Sequence, residues 1–299
     1  MLLSFLYAVW FLVLIPLFDG ILKSVKAVLN GRRPTRLLQV YYDLYKLFRK
    51  ETFYSQQTSY ISIIAPAVML AVSCVFLVLV PTSVMVFDVH VIYLFYISAI
   101  GSFFMMIYAM DNATYFAGLG VEREMFVLAI IEPVLMLFIA TNAFISNAVT
   151  VSDLTWVVDY TTLMGVCVAV IMAIVLFYIM LAENKRFPFD NPATHLELTM
   201  IHEAMLLETS GIQLGMIELA SKIKLFAFIA LFVSIFLPFT FGYTGIALFG
   251  VRAVKMVVCV VFFGLFEVLT TKIRLFRYQE IFALLLVLQI ITLMFFILR

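Results

Sequence analysis

Residues 60–80 have the sequence YISIIAPAVMLAVSCVFLVLV, a run that contains no Asp, Glu, Lys, Arg or His. A helix needs roughly 20 predominantly apolar residues to cross the hydrocarbon core of a bilayer. The run is long enough to do so, and it therefore predicts a transmembrane helix.

Seven further apolar runs lie on both sides of this one. Together the eight predicted spans cover residues 2–22, 60–80, 90–110, 122–145, 161–182, 225–243, 246–270 and 279–298. The sequence therefore predicts an all-α polytopic membrane protein with about eight transmembrane helices. It also predicts one integral membrane domain over residues 1–299, with no appended soluble domain.

The composition agrees with lipid as the main solvent. Hydrophobic residues are 65% of the 299 and charged residues 12%, whereas soluble domains are about half apolar and a quarter charged. A net charge of +1 offers no electrostatic basis for binding nucleic acid. Cys74, Cys167 and Cys259 are too far apart for the usual spacing of metal ligands, so no cofactor is expected on this chain.

The basic residues predict an orientation. All Lys and Arg residues except Arg252, Lys255 and Arg299 fall in or beside the loops after predicted spans 1, 3, 5 and 7. Cytoplasmic loops carry an excess of Lys and Arg. These loops are therefore expected in the cytoplasm, and both termini outside a cell membrane.

Two of these loops are longer than simple connections. Residues 23–59 contain RLLQVYYDLYKLFRKE (36–51), where apolar residues recur at helical spacing between charged ones. This pattern predicts an amphipathic helix on the cytoplasmic membrane face, either as an anchor or as a docking element for a partner. The second loop, residues 183–224, lies between predicted spans 5 and 6.

Glu132 is the clearest candidate for a functional residue inside a span, where an ionisable side chain costs at least a few kcal/mol. It lies about ten residues into predicted span 4 and is followed by Pro133, which frees a backbone carbonyl. It could be a proton or cation station, or a packing group hydrogen-bonded to a neighbouring helix. Glu124, eight residues earlier, could share the same interior-facing strip.

The loop at 183–224 is the stretch richest in acidic residues and histidines. Asn191 and Pro192 predict the start of a helix that runs to about Thr209. Its many apolar residues favour partial burial, which raises carboxylate pKa values and suits proton transfer. The candidates in this loop are Glu183, Glu197, Glu203, Glu208, Asp190, His195 and His202.

Three stretches together resemble one family. They are AENKRFPFDNPATHLELTMIHEAMLLETSG (182–211), GRRPTRLLQVYYDLYKLFRKE (31–51) and GLGVEREMFVLAIIEP (118–133). They are similar to the membrane subunit that bridges the peripheral and ion-pumping arms of group 4 energy-converting nickel–iron (NiFe) hydrogenases. A homologous subunit occurs in respiratory complex I.

The resemblance implies tilted helices, a cytoplasmic cavity beneath a catalytic module, and a line of glutamates that leads into the membrane. By position, the line would comprise Glu183, Glu197, Glu203, Glu208, Glu124 and Glu132. Arg186 and Asp190 would help to form the cavity, and His195 and His202 would lie in the partner-facing loop. The subunit itself would be non-catalytic, with the NiFe centre and iron–sulfur clusters in partner subunits.

The long loop also bears on which branch of the family the chain resembles. Glu183, Arg186 and Pro188–Asp190 are shared with complex I relatives, but NPATHLELTMIHEAMLLETSG (191–211) resembles the longer hydrogenase-type form. Thr209 stands where a tyrosine is usual in complex I, which puts any role of that aromatic in doubt.

The leading hypothesis is an ion-translocating subunit that couples a cytoplasmic redox module to the pumping of protons or sodium ions. It would contact hydrogenase-like large and small subunits, antiporter-like membrane subunits and the lipid bilayer. The alternatives are a quinone-site-forming bridging subunit of complex I, a standalone transporter and an inert scaffold. The absence of an internal repeat argues against the transporter, and Glu132 beside Pro133 argues against the scaffold.

Overall fold

The computed structural model describes residues 2–53, 58–80, 89–154, 163–190, 200–237 and 246–297. Within these ranges the fold is helical and has no strand, only an isolated bridge between His90 and Thr150. The helices are α1 (Leu2–Leu29), α2 (Gln39–Arg49), α3 (Tyr60–Leu79), α4 (Ile92–Asp111), α5 (Tyr115–Ser146), α6 (Leu163–Glu183), α7 (His202–Leu206), α8 (Gly211–Phe236), α9 (Ile246–Leu269) and α10 (Tyr278–Ile297). The predicted all-α class is confirmed.

Six of the described helices are long and apolar enough to cross a membrane: α3, α4, α5, α6, α8 and α10. The chain is therefore a multi-pass membrane protein. Helices α1 and α9 have comparable lengths of 28 and 24 residues, but each carries three charged residues. These are Asp19, Lys23 and Lys26 in α1, and Arg252, Lys255 and Glu267 in α9. The count of eight spans stays a prediction.

Helix α8 begins at Gly211, fourteen residues before the predicted start of span 6 at 225. Gly211 has a φ of +57°, and a Cβ there would lie 2.4 Å from the carbonyl oxygen of Glu51. Only glycine fits such a position without strain. The predicted boundary was wrong because Glu218, Lys222 and Lys224 lower the hydropathy of a segment that is nevertheless helical.

Helix α5 likewise begins at Tyr115 and not at 122. The hydropathy scan missed its first turns because the charged residues Glu122, Arg123 and Glu124 lower the hydropathy there. Glu124 therefore lies nine residues after Tyr115, the first residue of the helix.

The long loop between α6 and α8 is only partly described, since residues 191–199 lie outside the described ranges. The first half of the predicted helix from Pro192 to Thr209 therefore lies outside the described residues. Over residues 200–210, helix α7 covers only His202–Leu206. There the predicted helix is longer than the observed one.

Helix α2 matches the amphipathic helix predicted after the first span. Val40 and Leu44 are buried, whereas Tyr42 and Tyr45 are exposed. The Tyr41 hydroxyl donates a hydrogen bond to the carbonyl of Val13 in α1. The helix is therefore held against α1, and its place on the membrane face stays a prediction.

Helix α8 is the most deeply buried of the six candidate spans. It packs against α2, α3, α6 and α9, while α1 packs on α9 and α10 on α5. Side chains of α8 therefore lie at the centre of the molecule, and this places Lys224 there.

The loops that carry most basic residues meet at one end of the bundle. The Phe53 amide donates to Ser210 Oγ (3.0 Å), and the Ile273 amide donates to the Pro188 carbonyl (2.9 Å). At another position, the Ser59 amide before α3 donates to the Asp111 carboxylate that ends α4 (3.0 Å). The long loops thus form one connected surface.

Candidate functional site

A buried ion pair lies between α6 and α8. Glu183, the last residue of α6, is 3% exposed, and its Oε1 lies 2.8 Å from Lys224 Nζ on α8. Ser98 Oγ of α4 donates to the same carboxylate oxygen at 2.8 Å. Lys224 Nζ also donates to Ser102 Oγ at 2.9 Å. Three helices therefore contribute side chains to one polar centre, which is termed the Glu183–Lys224 centre below.

Glu132 on α5 adds a second carboxylate to this centre. It is partly buried, and it interacts electrostatically with both Glu183 and Lys224. The other oxygen of Glu183, Oε2, has no hydrogen-bond partner among the described residues. Two carboxylates therefore act on the Lys224 ammonium, and Glu183 is the one in direct contact with it.

A second group of charges lies beside it, where α5 meets the long loop. Glu124 is 1% exposed, and its Oε1 lies 2.8 Å from Lys185 Nζ. The same ammonium lies 3.3 Å from His202 Nδ1 at the start of α7. Lys185 therefore connects a buried carboxylate to an imidazole.

The surroundings of His202 keep its imidazole neutral. Burial lowers the pKa of His202 well below its usual value of 6.5, and the positive charges of Lys185, Lys224 and Arg186 lower it further. A neutral ring can accept a hydrogen bond at Nδ1, which matches the position of the Lys185 ammonium.

Asp190 fixes the loop that carries these groups. Its Oδ1 accepts a hydrogen bond from Lys272 Nζ (2.8 Å), and its Oδ2 accepts from the amides of Ile201 and His202 (3.2 Å each). The Tyr278 hydroxyl donates to the neighbouring Phe189 carbonyl. Asp190 therefore ties the loop after α6 to both the start of α7 and the connection between α9 and α10.

A third cluster joins α1, α9 and the same loop. Glu267 of α9 is buried and forms an ion pair with Lys26 of α1. Arg186 Nη1 lies 3.9 Å from the other Glu267 oxygen. On α1, buried Asp19 pairs with Lys23 at 3.3 Å. The cluster holds α1 and α9 together where both helices carry charge.

The structure brings part of the predicted site together. Glu132 and Glu183 share the Glu183–Lys224 centre, and Glu124 and His202 share Lys185. Arg186 and Asp190 flank them, as just described. Glu203 is partly exposed on α7, and Glu208 is exposed beyond the end of that helix. His195 and Glu197 lie outside the described residues.

Several partners of these groups were missed from the sequence. Lysines were used only to predict orientation, so the roles of Lys185 and Lys224 were not found. Asp19 and Glu267 could have been, because both are acidic residues inside predicted spans, the same signal that singled out Glu132. Ser98 and Ser102 carry no such signal, since serine is common in membrane helices.

The arrangement is suited to binding and releasing protons. Over the described ranges, no three side chains of His, Cys, Asp or Glu are grouped so as to hold a metal ion. Each carboxylate of the inner groups lies instead near a lysine. A lysine stabilises the charged form of a buried carboxylate, and a proton competes with that lysine for the same oxygen.

A bundle of long apolar helices with ionisable groups buried between them defines a polytopic membrane protein with a polar interior. The chain belongs to the NADH dehydrogenase family, whose family model matches residues 2–298. Two relatives come from Escherichia coli K12. Formate hydrogenlyase subunit 4 is 28% identical over 269 residues, 87% of each chain. Hydrogenase-4 component C is 28% identical over 239 residues, 78% of this chain and 74% of the relative.

A solved structure has the same fold. A chain of the membrane-bound sulfane sulfur reductase, an archaeal respiratory membrane complex, superposes with a TM-score of 0.80 at 19% identity. The match covers 98% of this chain and 99% of that one. The chain therefore shares its fold with a subunit of a respiratory membrane complex, and it is similar over most of its length to the two Escherichia coli proteins.

Proposed function

We propose that this subunit anchors a cytoplasmic redox module of the hydrogenase type and couples its turnover to ion translocation. The observation that carries the proposal is the Glu183–Lys224 centre with Glu132 beside it. An ionisable group is costly inside a membrane protein and is retained there for a reason. Here two carboxylates and an ammonium lie together between helices of predicted spans.

In this proposal the groups would act in sequence from the loop towards the membrane interior. Glu203 and Glu208 on the loop surface would receive the ion, with His195 and Glu197 contributing from the same segment. Glu124, through Lys185 and His202, would come next, followed by Glu183 and then Glu132. Unit charges about 4 Å apart interact by about 4 kcal/mol at an effective dielectric constant of 20. A change of charge at one group therefore changes the affinity of its neighbour for a proton.

Arg186 and Asp190 would not carry the ion but would hold the long loop in place. Asp190 holds the start of α7, and Arg186 joins the loop to Glu267. A partner subunit that moves this loop would therefore move Lys185 and His202 relative to Glu124. This gives a physical route from a redox event in the partner to a charge change in the membrane.

The partners follow from the relatives' names, which are those of hydrogenase and hydrogenlyase subunits. We propose hydrogenase-like large and small subunits with a NiFe centre and iron–sulfur clusters, and antiporter-like subunits beside this chain. The long loops would face the cytoplasm and both termini the outside. An impermeant thiol reagent added to intact cells should then label a cysteine at Val149 but not one at Arg33, in a background without the native cysteines.

A second candidate is a bridging subunit that forms a quinone site. The observation in its favour is the family description, NADH dehydrogenase, over nearly the whole chain. Mass spectrometry of the complex purified in mild detergent would separate the two. A nickel-enzyme large subunit supports the hydrogenase type, and flavin and quinone-reductase subunits support the other.

The proposed function is tested by Glu132→Gln, with Glu122→Gln as the matched control. The amide keeps the volume and hydrogen bonding of Glu132 but cannot titrate, while Glu122 lies exposed on the same helix. We expect Glu132→Gln complexes to assemble on blue-native gels yet to lose most ion uptake per electron pair in membrane vesicles. Glu122→Gln should retain the wild-type ratio. A wild-type ratio for Glu132→Gln would make Glu132 a packing residue.

A further inference from the structure

The ammonium of Lys224 occupies a position formed by oxygen atoms. Glu183 Oε1 lies 2.8 Å and Ser102 Oγ 2.9 Å from Lys224 Nζ. Ser98 Oγ donates to the same Glu183 oxygen and so holds the carboxylate in place. All three residues are buried on helices α4 and α6. A carboxylate with hydroxyl oxygens is the type of ligand set that hard cations prefer.

Here that position is filled by a cation that belongs to the chain. An ammonium cannot leave as a free ion does, because its four-carbon stem is fixed to α8. Lys185 adds a further positive charge that acts on Glu183. A sodium ion entering the centre would have to displace Lys224 against the field of both lysines.

We infer that Lys224 is the residue that determines ion specificity in this centre: its ammonium replaces an alkali cation, so the centre exchanges protons and excludes sodium ions. The inference rests on the proposed function and names the ion that passes this site. It does not concern the ions carried by partner subunits.

The charges of the centre are consistent with one exchangeable proton. The charge of Lys185 is compensated by Glu124, with which it pairs. With Glu132 and Glu183 ionised and Lys224 protonated, the three remaining groups carry a net charge of −1. One proton bound to either carboxylate brings the sum to zero, and its release to the next acceptor restores the starting state. A bound sodium ion would give the same sum but needs the space that the ammonium fills.

The wild-type complex supplies the first test. A hydrophobic carbodiimide modifies protonated carboxyl groups in membranes, and a bound cation protects them by keeping the proton away. We expect labelling of Glu132 and Glu183, followed by peptide mass spectrometry, to proceed equally in NaCl and in choline chloride of the same ionic strength. Protection that rises with NaCl concentration in the wild type would overturn the inference.

The second test empties the position. Lys224→Ser removes the ammonium and leaves the oxygens of Glu183, Ser98 and Ser102, so sodium should now bind. Bound sodium should slow the carbodiimide labelling of the carboxylate by a factor of 1 + [Na⁺]/Kd. At a sodium concentration of ten times Kd, labelling is about tenfold slower. The thermal midpoint of the assembled variant should also rise in NaCl relative to choline chloride. Lys222→Ser is the matched control, because Lys222 lies on the same helix and pairs with Glu218.

Lys224→Gln is a second variant should Lys224→Ser fail to assemble, since the amide keeps a hydrogen-bond donor and still removes the charge. An assembled Lys224 variant that shows no response to sodium would overturn the inference, because the oxygens would then not form a cation position. These readouts need no turnover. A wild-type coupling ratio in Glu132→Gln would refute the proposed function, whereas a sodium effect on wild-type labelling would refute only the specificity of the centre.

Discussion

Two ion pairs on α8 have the same length and different surroundings. Lys222 Nζ lies 2.8 Å from Glu218 Oε2 in the preceding turn, and Lys224 Nζ lies 2.8 Å from Glu183 Oε1 on another helix. Both lysine side chains are largely buried, but the Glu218 side chain is 38% exposed, whereas that of Glu183 is 2% exposed. Water can solvate the first carboxylate if its lysine is lost, but it cannot reach the second.

The difference shows that distance alone does not give the energetic role of an ion pair. A pair whose carboxylate is open to water contributes roughly 0–1 kcal/mol, because solvent screens it and the side chains lose entropy. A buried pair has a desolvation cost that offsets much of its attraction, yet removal of one partner is strongly destabilising. The Glu183–Lys224 pair is therefore not expected to add much to the stability of the fold. We explain its presence by the proposed ion transfer.

The largest effect is expected from breaking the buried pair by Lys224→Met. Glu183 would be left as a buried carboxylate without its counter-charge, at a cost of about 3–5 kcal/mol. Lys222→Met should cost about 0–1 kcal/mol. Thermal unfolding of the complex in detergent measures both. Equal midpoints for the two variants would show that the environments do not differ as described.

A smaller effect is expected where α7 covers α5. A Cβ at Gly120 would lie 2.9 Å from Met205 Cγ and 3.1 Å from the Ile201 carbonyl oxygen, whereas one at Gly118 meets nothing within 4 Å. Gly120→Ala should therefore be less stable than Gly118→Ala by about 1–3 kcal/mol, because overpacking shifts α7. The same thermal assay decides it, and equal stabilities would mean that α7 is not packed on α5 there.

The smallest effect is a pH dependence from His202. Its folded-state pKa is lowered, so the unfolded chain binds a proton as the pH falls below about 6.5 and the folded chain does not. Stability from this group is therefore present above about pH 6.5 and decreases below it, by up to about 1.4 kcal/mol per pH unit.

The variant His202→Gln removes that contribution. The difference in unfolding free energy between wild type and variant should be constant above about pH 7 and change as the pH falls towards 5. His90→Gln, at an exposed imidazole away from the long loop, controls for loss of the ring. A difference that stays constant over the whole pH range would contradict the described surroundings of His202.

Hydropathy in the sequence predicted the helical class. A long apolar run can satisfy all its backbone hydrogen bonds within itself in lipid only as a helix. Hydropathy misplaced the starts of α5 and α8 where charges lie inside helices, at Glu124 and at Lys224. Glu124 and Lys224 both belong to the candidate site, so the charges that misled the hydropathy scan include the groups of that site. A charged residue near the end of an apolar run leads a hydropathy scan to end the predicted span there.

The acidic half of the site was found from the sequence and the basic half was not. Glu132 stood out as a carboxylate deep in an apolar run. Lys185 and Lys224 could not be assigned to Glu124 and Glu183, because each pair joins segments that are 61 and 41 positions apart in the chain. Only the packing of α8 between α3 and α6 brings Lys224 to Glu183.

The central claim is that the buried pair serves ion transfer and not stability. The most direct measurement uses the double variant Glu183→Gln/Lys224→Gln, which removes both charges together and leaves no unpaired ion. Glu218→Gln/Lys222→Gln is the matched control on the same helix, because its carboxylate is open to water. Ion uptake per electron pair would be measured in vesicles that contain assembled complexes. The account predicts that the first double variant assembles and loses most of its coupled uptake, while the second keeps the wild-type ratio. A wild-type ratio in assembled Glu183→Gln/Lys224→Gln complexes would contradict it.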